Sequence, residues 1–421
     1  MREHVATANL QARLDALAAR THEETQVPGI GLGVSIDNRR TYAVAGTRSV
    51  GEQRPLTLAC RYELGCAGKL RLAITAHELA RRGQLDLTDP IGEYLPQLRG
   101  SLHGDAVRCE HLLSHTSGYR GTSMFDDNTR AFTWDTLVRH LNHSPRLFAP
   151  GSVFSYEHTE SVLLGEILRR VGSPAESATD ASPIDSAGKH RFDEHSSRFV
   201  ALADGDQISP FWYAAFSPRR VTIEDLLTLG EAAMSVTELQ RSVVRLPPTA
   251  GGPLRELLPI AYGLGSAELR GGYRGNTGVT VGQCVGLRFA ADRKTCVAVA
   301  LNAMVPYLRD FVLTALCTEI TGRPERHDAG PLPFELRDLT GRYIGPGTAA
   351  IDVRFADQRL ICRLGHEDRP GGLLVDFVLD DDGRPVLRSP IPHLSLGFFA
   401  EPSEGAVGLL LGLSAYARVG R

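Results

Sequence analysis

A cysteine and a lysine stand three residues apart in the stretch Tyr62-Glu63-Leu64-Gly65-Cys66-Ala67-Gly68-Lys69. The apolar spacing that follows predicts a helix over Ala67–Arg82 that stops at Gly83. Residues three apart on a helix share a face, so we expect Cys66 and Lys69 to lie one turn apart. A helix N-terminus and a nearby ammonium group favour a thiolate, and a buried lysine can lose its proton and act as a base. The stretch predicts a nucleophile with its base, or else an inert core cysteine beside an unrelated lysine.

Composition narrows the class of protein. The chain has 421 residues, 46 basic and 49 acidic side chains, a net charge of −3 and 42% hydrophobic residues. These values are typical of a soluble globular protein with a large core, and they argue against a nucleic-acid binder or a polybasic membrane arm. Lysine is rare: Lys69, Lys189 and Lys294 are the three lysines among the basic residues. Each of them therefore merits attention.

Cysteine usage and the N-terminus bear on the compartment. The seven cysteines are scattered without any C-x-x-C pair, which argues against a disulfide framework and against a zinc site. The start, Met1-Arg2-Glu3-His4, lacks the pattern of a signal peptide, and the apolar stretch at Ala406–Ala417 is too short and glycine-rich to span a bilayer. We therefore expect a reduced, cytoplasmic protein, and no metal or organic cofactor is implied.

Periodicity and turn residues predict the order of elements. We expect a hairpin over Gly29–Ala45 with its turn at Asp37-Asn38, and another hairpin over Gly282–Asn302. Predicted helices cover Leu10–Glu24, Cys109–Leu113, Ser161–Val171, Thr222–Ala233 and Pro306–Thr321. A proline-rich break at Pro324–Pro333 precedes short strands and turns. These features predict a first domain over residues 1–330, with a variable insertion at 173–220, and a small barrel-like all-β domain over residues 331–421.

The order of these motifs resembles the serine β-lactamase and penicillin-binding-protein family, in the branch of class C β-lactamases, DD-peptidases and related esterases. The resemblance covers residues 8–322 and is carried by Tyr62–Lys69, Gly83–Ile91, Tyr94–Pro96, His111–Gly118, Phe154–His158, Tyr262–Gly265 and Gly275–Gly278. It implies an α+β fold of the β-lactamase/transpeptidase type. In that fold an antiparallel sheet is flanked by helices and accompanied by a helical subdomain, here with the small all-β domain appended.

The family transfers acyl groups through a covalent intermediate on a Ser-x-x-Lys helix. Matched position by position, the resemblance implies that Cys66 is the nucleophile, Lys69 its base partner and Tyr156 the shuttle that protonates the leaving group. Backbone N–H groups of Cys66 and Val279 would form the oxyanion hole. Asn276, Thr277 and Gly278 would face the substrate.

The chain departs from the family pattern at three of these positions. Cys66 replaces the serine, His158 replaces an asparagine, and Asn276 replaces the lysine or histidine of the third motif. Without a cation at position 276, attraction for a free substrate carboxylate should weaken, so we expect a substrate other than a β-lactam. His158 is either a neutral hydrogen-bonding substitute for asparagine or a second base that pairs with the thiol.

Two further segments have structural and functional interpretations. His115-Thr116-Ser117-Gly118 resembles a catalytic triplet but is interpreted as structural in this family. The aromatic segment Phe211-Trp212-Tyr213 falls where relatives line the pocket, so it is either core or a substrate wall, and Trp212 is its candidate substrate contact.

Together these observations predict a cysteine-dependent acyltransferase that forms a thioester acyl-enzyme in the biosynthesis of natural products such as antibiotics. A thioester reacts well with amines and thiols relative to water, which favours transfer over hydrolysis. The expected partners are a small-molecule acyl donor and acceptor, free or bound to a carrier protein, with no nucleic acid and no membrane. An esterase, thioesterase or amidase is the first alternative, and a non-catalytic binding protein of the same fold is the second.

Overall fold

The computed structural model describes residues 2–120, 133–172, 186–193, 196–202, 220–246, 250–251, 257–321, 335–344, 349–366, 369–379, 385–388, 395–400, 407–411 and 414–419. The chain forms two compact units from discontinuous segments. The first unit comprises residues 1–78, 173–241 and 265–324, and the second comprises residues 79–172, 242–264 and 325–421. The predicted domain boundary at residue 330 stays a prediction.

Helices and strands come in successive blocks along the described chain. The helices are α1 (Arg2–Thr25), α2 (Gly68–Arg81), α3 (Ile91–Tyr94), α4 (Cys109–Leu113), α5 (Trp134–His143), α6 (Thr159–Arg170), α7 (Ile223–Met234) and α8 (Pro306–Thr321). The strands of the first unit are β1 (Gly29–Ile36), β2 (Arg39–Gly46), β3 (Tyr62–Glu63), β4 (His190–Asp193), β5 (Arg198–Ala201), β6 (Arg220–Val221), β10 (Ala267–Leu269), β11 (Tyr273–Thr280), β12 (Gln283–Ala290) and β13 (Thr295–Leu301). Those of the second unit are β7 (Ser242–Arg245), β8 (Ala250–Gly251), β9 (Ala261–Gly263), β14 (Gly341–Ile344), β15 (Ala349–Ala356), β16 (Arg359–His366), β17 (Arg369–Leu379), β18 (Pro385–Arg388), β19 (Ser395–Ala400), β20 (Val407–Leu411) and β21 (Ser414–Val419). Within the described part of the chain, no helix is both long enough and apolar enough to cross a membrane.

The main sheet of the first unit is antiparallel and runs in the order β2-β1-β13-β12-β11-β10. Both predicted hairpins are confirmed. Asp37 and Asn38 join β1 to β2 with φ of 50° and 63°, values that their short polar side chains tolerate. Helix α7 also begins as predicted, because the Thr222 hydroxyl accepts a hydrogen bond from the Asp225 N–H.

Strand β1 shows how helices come to lie on both faces of this sheet. Its apolar residues Ile30, Leu32 and Val34 point to one side, where they join a core cluster with residues of α1 and α8. On the opposite side a Cβ at Gly33 would lie 3.2 Å from the Leu227 side chain of α7. The alternation of glycine and large apolar residues along β1 therefore lets α7 approach one face of the sheet closely. The predicted α+β class, with a helix-flanked antiparallel sheet, is confirmed.

The second unit contains helices α3–α6, the antiparallel pair β7–β9 and a larger antiparallel sheet. That sheet runs in the order β18-β17-β16-β15-β14-β21-β20-β19-β8. Its core includes Tyr343, Ile351, Leu360 and Leu409, all nearly inaccessible to solvent. The described residues beyond 340 thus lie mainly in antiparallel strands.

Part of the predicted insertion forms β-strands, and an ion pair holds the insertion against strand β3. Lys189 donates to the Glu63 carboxylate of β3 across 2.6 Å, and both side chains are buried. Arg220 lies 3.8 Å from the same oxygen. The Gln283 side chain accepts from the Glu63 N–H at 2.9 Å and donates to the Ala187 carbonyl at 2.8 Å. These contacts join the insertion to the residues that lead into Cys66.

His190, the first residue of β4, has both ring nitrogens in hydrogen-bonding contacts, and the Ser49 hydroxyl lies 3.1 Å from its Nε2. Its Nδ1 lies 2.5 Å from the Asn302 carbonyl, and its Nε2 accepts from the Val50 N–H at 3.0 Å. A proton on Nε2 would face that N–H donor, so the protonated ring fits this site poorly. Burial lowers the pKa of His190 below its ordinary value, an effect that the Asn302 carbonyl opposes in part.

Acidification should destabilise the protein through this histidine. The folded-state pKa of His190 is lowered, so below pH ~6.5 the unfolded chain binds more protons than the folded protein. The free energy of unfolding is therefore highest above that pH and falls as the pH drops. The loss should reach at most about 1.4 kcal/mol per pH unit from this residue. Urea unfolding between pH 7.5 and 5 checks this: the slope should shrink in His190→Gln and persist in His143→Gln, since His143 is exposed. Equal slopes in wild type and His190→Gln would contradict the expectation.

Removal of the buried Lys189 ammonium should lower the free energy of unfolding far more than removal of an exposed ammonium. Among the described residues, Lys189→Met leaves the buried Glu63 carboxylate with Arg220 as its remaining cation, and we expect a loss of about 3 kcal/mol in the free energy of unfolding. Lys294 is the matched control, because it is exposed and lies 3.9 Å from Asp37, so Lys294→Met should cost less than ~0.5 kcal/mol. Chemical denaturation measures both, and equal losses would contradict the assigned role of Lys189.

Candidate active site

Cys66 lies in a short 3₁₀ turn, Gly65–Ala67, between strand β3 and helix α2. Cys66 is half-buried, whereas the other six cysteines are buried. Burial raises the pKa of Cys109 to about 12 and that of Cys284 to about 11, which keeps both thiols protonated. Reactive thiols are those that solvent and substrate can reach as thiolates. Cys66 is therefore the best candidate nucleophile among the cysteines.

The turn that holds Cys66 packs backbone to backbone on strand β11. Gly65 has φ of 54°, a left-handed conformation that favours glycine, and a Cβ there would lie 3.1 Å from both the N and the O atom of Val279. A Cβ at Gly278 would lie 2.0 Å from the Leu64 carbonyl oxygen, so no side chain fits. Two glycines thus allow the contact between this turn and Val279, and the oxyanion-hole role of the Cys66 and Val279 N–H groups stays a prediction.

Lys69 lies in the first turn of α2, which begins one residue later than predicted, at Gly68. Its side chain is 5% exposed. Gly265, whose own φ is 118°, abuts the same helix, since a Cβ there would lie 2.1 Å from the Ala73 Cβ. Lys69 therefore lies in a closely packed helix one turn beyond the half-buried thiol.

Asn276 presents an oxygen where the family has a cation. The side chain is 8% exposed, and its Nδ2 donates a long hydrogen bond of 3.4 Å to the Gly265 carbonyl. That carbonyl requires a donor, which assigns the amide orientation and leaves Oδ1 with no hydrogen-bond partner among the described residues. Thr277 and Val279 alternate with it along β11 and are half-exposed. The predicted substrate contacts of Asn276, Thr277 and Gly278 stay predictions.

Tyr156 and His158 belong to the second unit, and both are half-buried. His158 caps the N-terminal end of α6, and the two rings lie 5.6 Å apart in an edge-on arrangement. The Tyr156 ring also packs on His115, with 4.5 Å between ring centroids. Tyr262 contacts the other side of His115 at 5.2 Å. The Tyr156 ring is thus positioned by a buried aromatic cluster.

Glu160 organises the His115-Thr116-Ser117-Gly118 loop. His115 Nδ1 hydrogen-bonds to the Glu160 carboxylate, which also accepts from the Ser117 hydroxyl at 2.5 Å and from the Ser117 N–H at 3.2 Å. In a catalytic triad the serine bonds to the histidine, whereas here both bond to the glutamate. All three side chains are buried. The geometry favours the structural interpretation of this loop.

The sequence patterns gave no indication of Glu160 or of Arg309 of α8, which donates to the Gly278 carbonyl at 3.0 Å. An acidic residue in the first turn of a helix has an ordinary explanation in the helix dipole, so Glu160 gave no distinct signal. Arg309 is one of many arginines in the sequence and lies in no recognised motif. Within the described residues, no group of three or more His, Cys, Asp and Glu side chains could hold a metal ion. Trp212 lies outside the described residues.

Residues 14–182 match the family model named Beta-lactamase. The chain is 30% identical over 191 residues to Esterase EstB of Burkholderia gladioli, a match that covers 41% of the chain and 49% of the esterase. It is 25% identical over 225 residues to a beta-lactamase of Yersinia enterocolitica, covering 53% and 55% of the two chains. The chain thus spans about half the length of these curated relatives, which are enzymes by name.

A crystal structure of SurE superposes with a TM-score of 0.76 at 23% identity and covers 98% of this chain and 100% of that one. This likeness concerns the fold. A class C beta-lactamase in complex with cefoxitin superposes with a TM-score of 0.59 at 17% identity and covers 73% of this chain and 97% of that one. The predicted resemblance to the β-lactamase and penicillin-binding-protein family is confirmed, since residues 14–182 match the family model and the fold is β-lactamase-like.

Proposed function

We propose that the chain is a cysteine-dependent acyltransferase that works through a thioester on Cys66. The observation that carries the proposal is the half-buried Cys66 in a turn that packs closely on the backbone of Val279. Such a turn presents a nucleophile next to backbone donors that can stabilise a developing oxyanion. Lys69, buried one turn further along the helix, is the nearest candidate base in sequence.

The reaction then has two half-reactions. In the first, Cys66 gives its proton to Lys69 or His158, and its sulfur attacks the carbonyl carbon of an ester, thioester or amide. The carbonyl oxygen takes the electron pair and accepts hydrogen bonds from the N–H groups of Cys66 and Val279. Collapse of this intermediate forms the thioester and expels the leaving group, which takes a proton from Tyr156 in the role that the resemblance assigns to it. Tyr156 regains a proton from the base that accepted the one from Cys66, so the base is free again for the second half-reaction.

In the second half-reaction an amine or alcohol attacks the thioester carbonyl and loses its proton to the base. The new amide or ester leaves, and the sulfur regains a proton as the thiol. An amine competes well with water for a thioester, which favours transfer over hydrolysis. The hydrolase alternative has its own support, because Esterase EstB is among the relatives. A non-catalytic binding protein remains the second alternative, since the serine of the family is missing.

Asn276 bears on the substrate class. A buried amide oxygen suits a donor group on the substrate, such as an amide N–H, better than a carboxylate. This supports an acyl donor without the free carboxylate of β-lactams and DD-peptides. We place the reaction in natural-product biosynthesis, with small-molecule donors and acceptors that are free or carried by a protein. SurE is also described in a crystal structure with D-Leu, which makes D-leucyl and L-leucyl thioesters a suitable first pair of probes. A cytoplasmic location and the lack of nucleic-acid and membrane partners stay predictions from the sequence.

Incubation with activated acyl donors should acylate Cys66 selectively. Intact-protein mass spectrometry with leucyl thioesters and p-nitrophenyl acetate should show one added acyl group in wild type and none in Cys66→Ala. The control variant Cys60→Ala keeps Cys66 and should also gain one acyl group. Added amine should convert most of the donor to amide with little free acid. Cys66→Ser should shift products towards acid, because an ester is a weaker acceptor for amines than a thioester.

Other outcomes separate the alternatives. Free acid as the main product despite excess amine would favour the hydrolase. A ligand-induced rise in melting temperature without any adduct, unchanged in Cys66→Ala, would favour the binding protein. Failure of Cys66 to react faster with iodoacetamide than the buried cysteines would contradict its role as nucleophile.

Introduction of a cation at position 276 should improve reaction with β-lactams. Asn276→Lys adds attraction for the substrate carboxylate, and we expect roughly five- to tenfold faster acylation by benzylpenicillin, equivalent to about 1 kcal/mol. Asn142→Lys is the matched control, because it adds the same charge at an exposed position of α5 and should have no effect. Stopped-time mass spectrometry measures the rates, and equal rates in Asn276→Lys and wild type would contradict the role of Asn276.

A further inference from the structure

Arg309 is a buried guanidinium in the first turn of α8 that neither the sequence motifs nor the proposed reaction uses. It is 3% exposed. Its Nη1 donates to the Gly278 carbonyl at 3.0 Å and, more weakly, to the Val285 carbonyl at 3.5 Å. Its Nε and Nη2 each lie 2.8 Å from a carboxylate oxygen of Asp310. Arg309 therefore has defined partners on strands β11 and β12 and on its own helix.

The Gly278 carbonyl and the Val279 N–H belong to the same peptide group. A trans peptide is planar, and its N–H points away from its C=O. The carbonyl end of this peptide is bound by Arg309, while its nitrogen lies beside the turn at Gly65, where an added Cβ would come within 3.1 Å of it. One rigid plane thus has a cation at one end and the predicted oxyanion donor at the other.

Charge on Arg309 acts through this plane. Hydrogen bonds from a charged donor are stronger than neutral ones, and a bond accepted by a carbonyl strengthens the bond that the N–H of the same peptide donates. Burial alone would lower the pKa of Arg309, whereas Asp310, Cys284 and Cys66 raise it. The net direction is upward, so the guanidinium stays charged.

We propose that Arg309 is a positioning residue for the oxyanion hole, which fixes and polarises the Gly278–Val279 peptide so that the Val279 N–H stabilises charge on the acyl oxygen. The inference rests on the proposed function. No bond to Arg309 forms or breaks, and its contribution appears as the carbonyl oxygen becomes negative. The guanidinium is buried and already donates to Asp310 and two carbonyls, so it is poorly placed to bind a substrate carboxylate directly.

The test compares two reactions of the same thiol in the full-length protein. Acylation by p-nitrophenyl acetate passes through an oxyanion, whereas alkylation by iodoacetamide displaces iodide and forms none. In Arg309→Met, single-turnover acylation should fall roughly tenfold, less than the 10²–10³-fold loss on removal of an oxyanion donor itself. Alkylation should stay within about twofold of wild type. Arg309→Lys, which keeps the charge, should retain more acylation than Arg309→Met.

Arg288→Met is the matched control. Arg288 is a buried arginine on β12 that donates to Thr314 of α8 at 3.0 Å. Among the described residues it makes no hydrogen bond to the Gly278–Val279 peptide, so its loss should leave the ratio of the two rates unchanged. Unchanged acylation in Arg309→Met, or a parallel fall in both reactions, would overturn the inference while wild-type acylation still supported the proposed function. Absence of acylation in wild type would instead refute the proposed function. If both Arg309 variants fail to fold while Arg288→Met folds, the role of Arg309 is structural and the inference is overturned.

Discussion

The backbone contact between the turn at Gly65 and strand β11 is the constraint on which the chemistry of the first unit depends. Any side chain at Gly278 would collide with the Leu64 carbonyl, and Gly65 needs a left-handed conformation to make the turn. The distance between the nucleophile and the Val279 N–H is therefore set by main chain rather than by adjustable side chains.

Burial separates the residues that can react from those that hold the structure. Cys109 and Cys284 are protonated because burial raises their pKa values, and they act as small core residues. Glu160 and Glu63 are buried carboxylates with several partners each, and they stabilise loops rather than reacting. A charged or nucleophilic side chain in this protein is thus a candidate for chemistry only where it is half-exposed or has a reactive partner, as Cys66 does.

Local signals in the sequence predicted local structure well. The turn at Asp37-Asn38 and the cap at Thr222 succeed because the residues that determine them are adjacent in the chain. Strand β4 was missed for the opposite reason. Its surroundings are rich in serine, alanine and aspartate, which favour loops, whereas partners distant in sequence bury His190 and Lys189. Arg309 was missed because nothing near it in the sequence indicates that its guanidinium reaches the Gly278 carbonyl.

The rarity of lysine identifies the candidate base less well than the surroundings of each lysine do. By composition alone, Lys189 merits as much attention as Lys69, and both are buried. The two differ in what surrounds them. Lys189 lies 2.6 Å from the Glu63 carboxylate, and that ion pair requires the ammonium form, so Lys189 neutralises a buried charge. Lys69 lies one turn beyond a half-buried thiol at a helix start, where a removable proton has a use that arginine could not provide. Position relative to a nucleophile, rather than scarcity, therefore identifies the lysine that is proposed to act as a base.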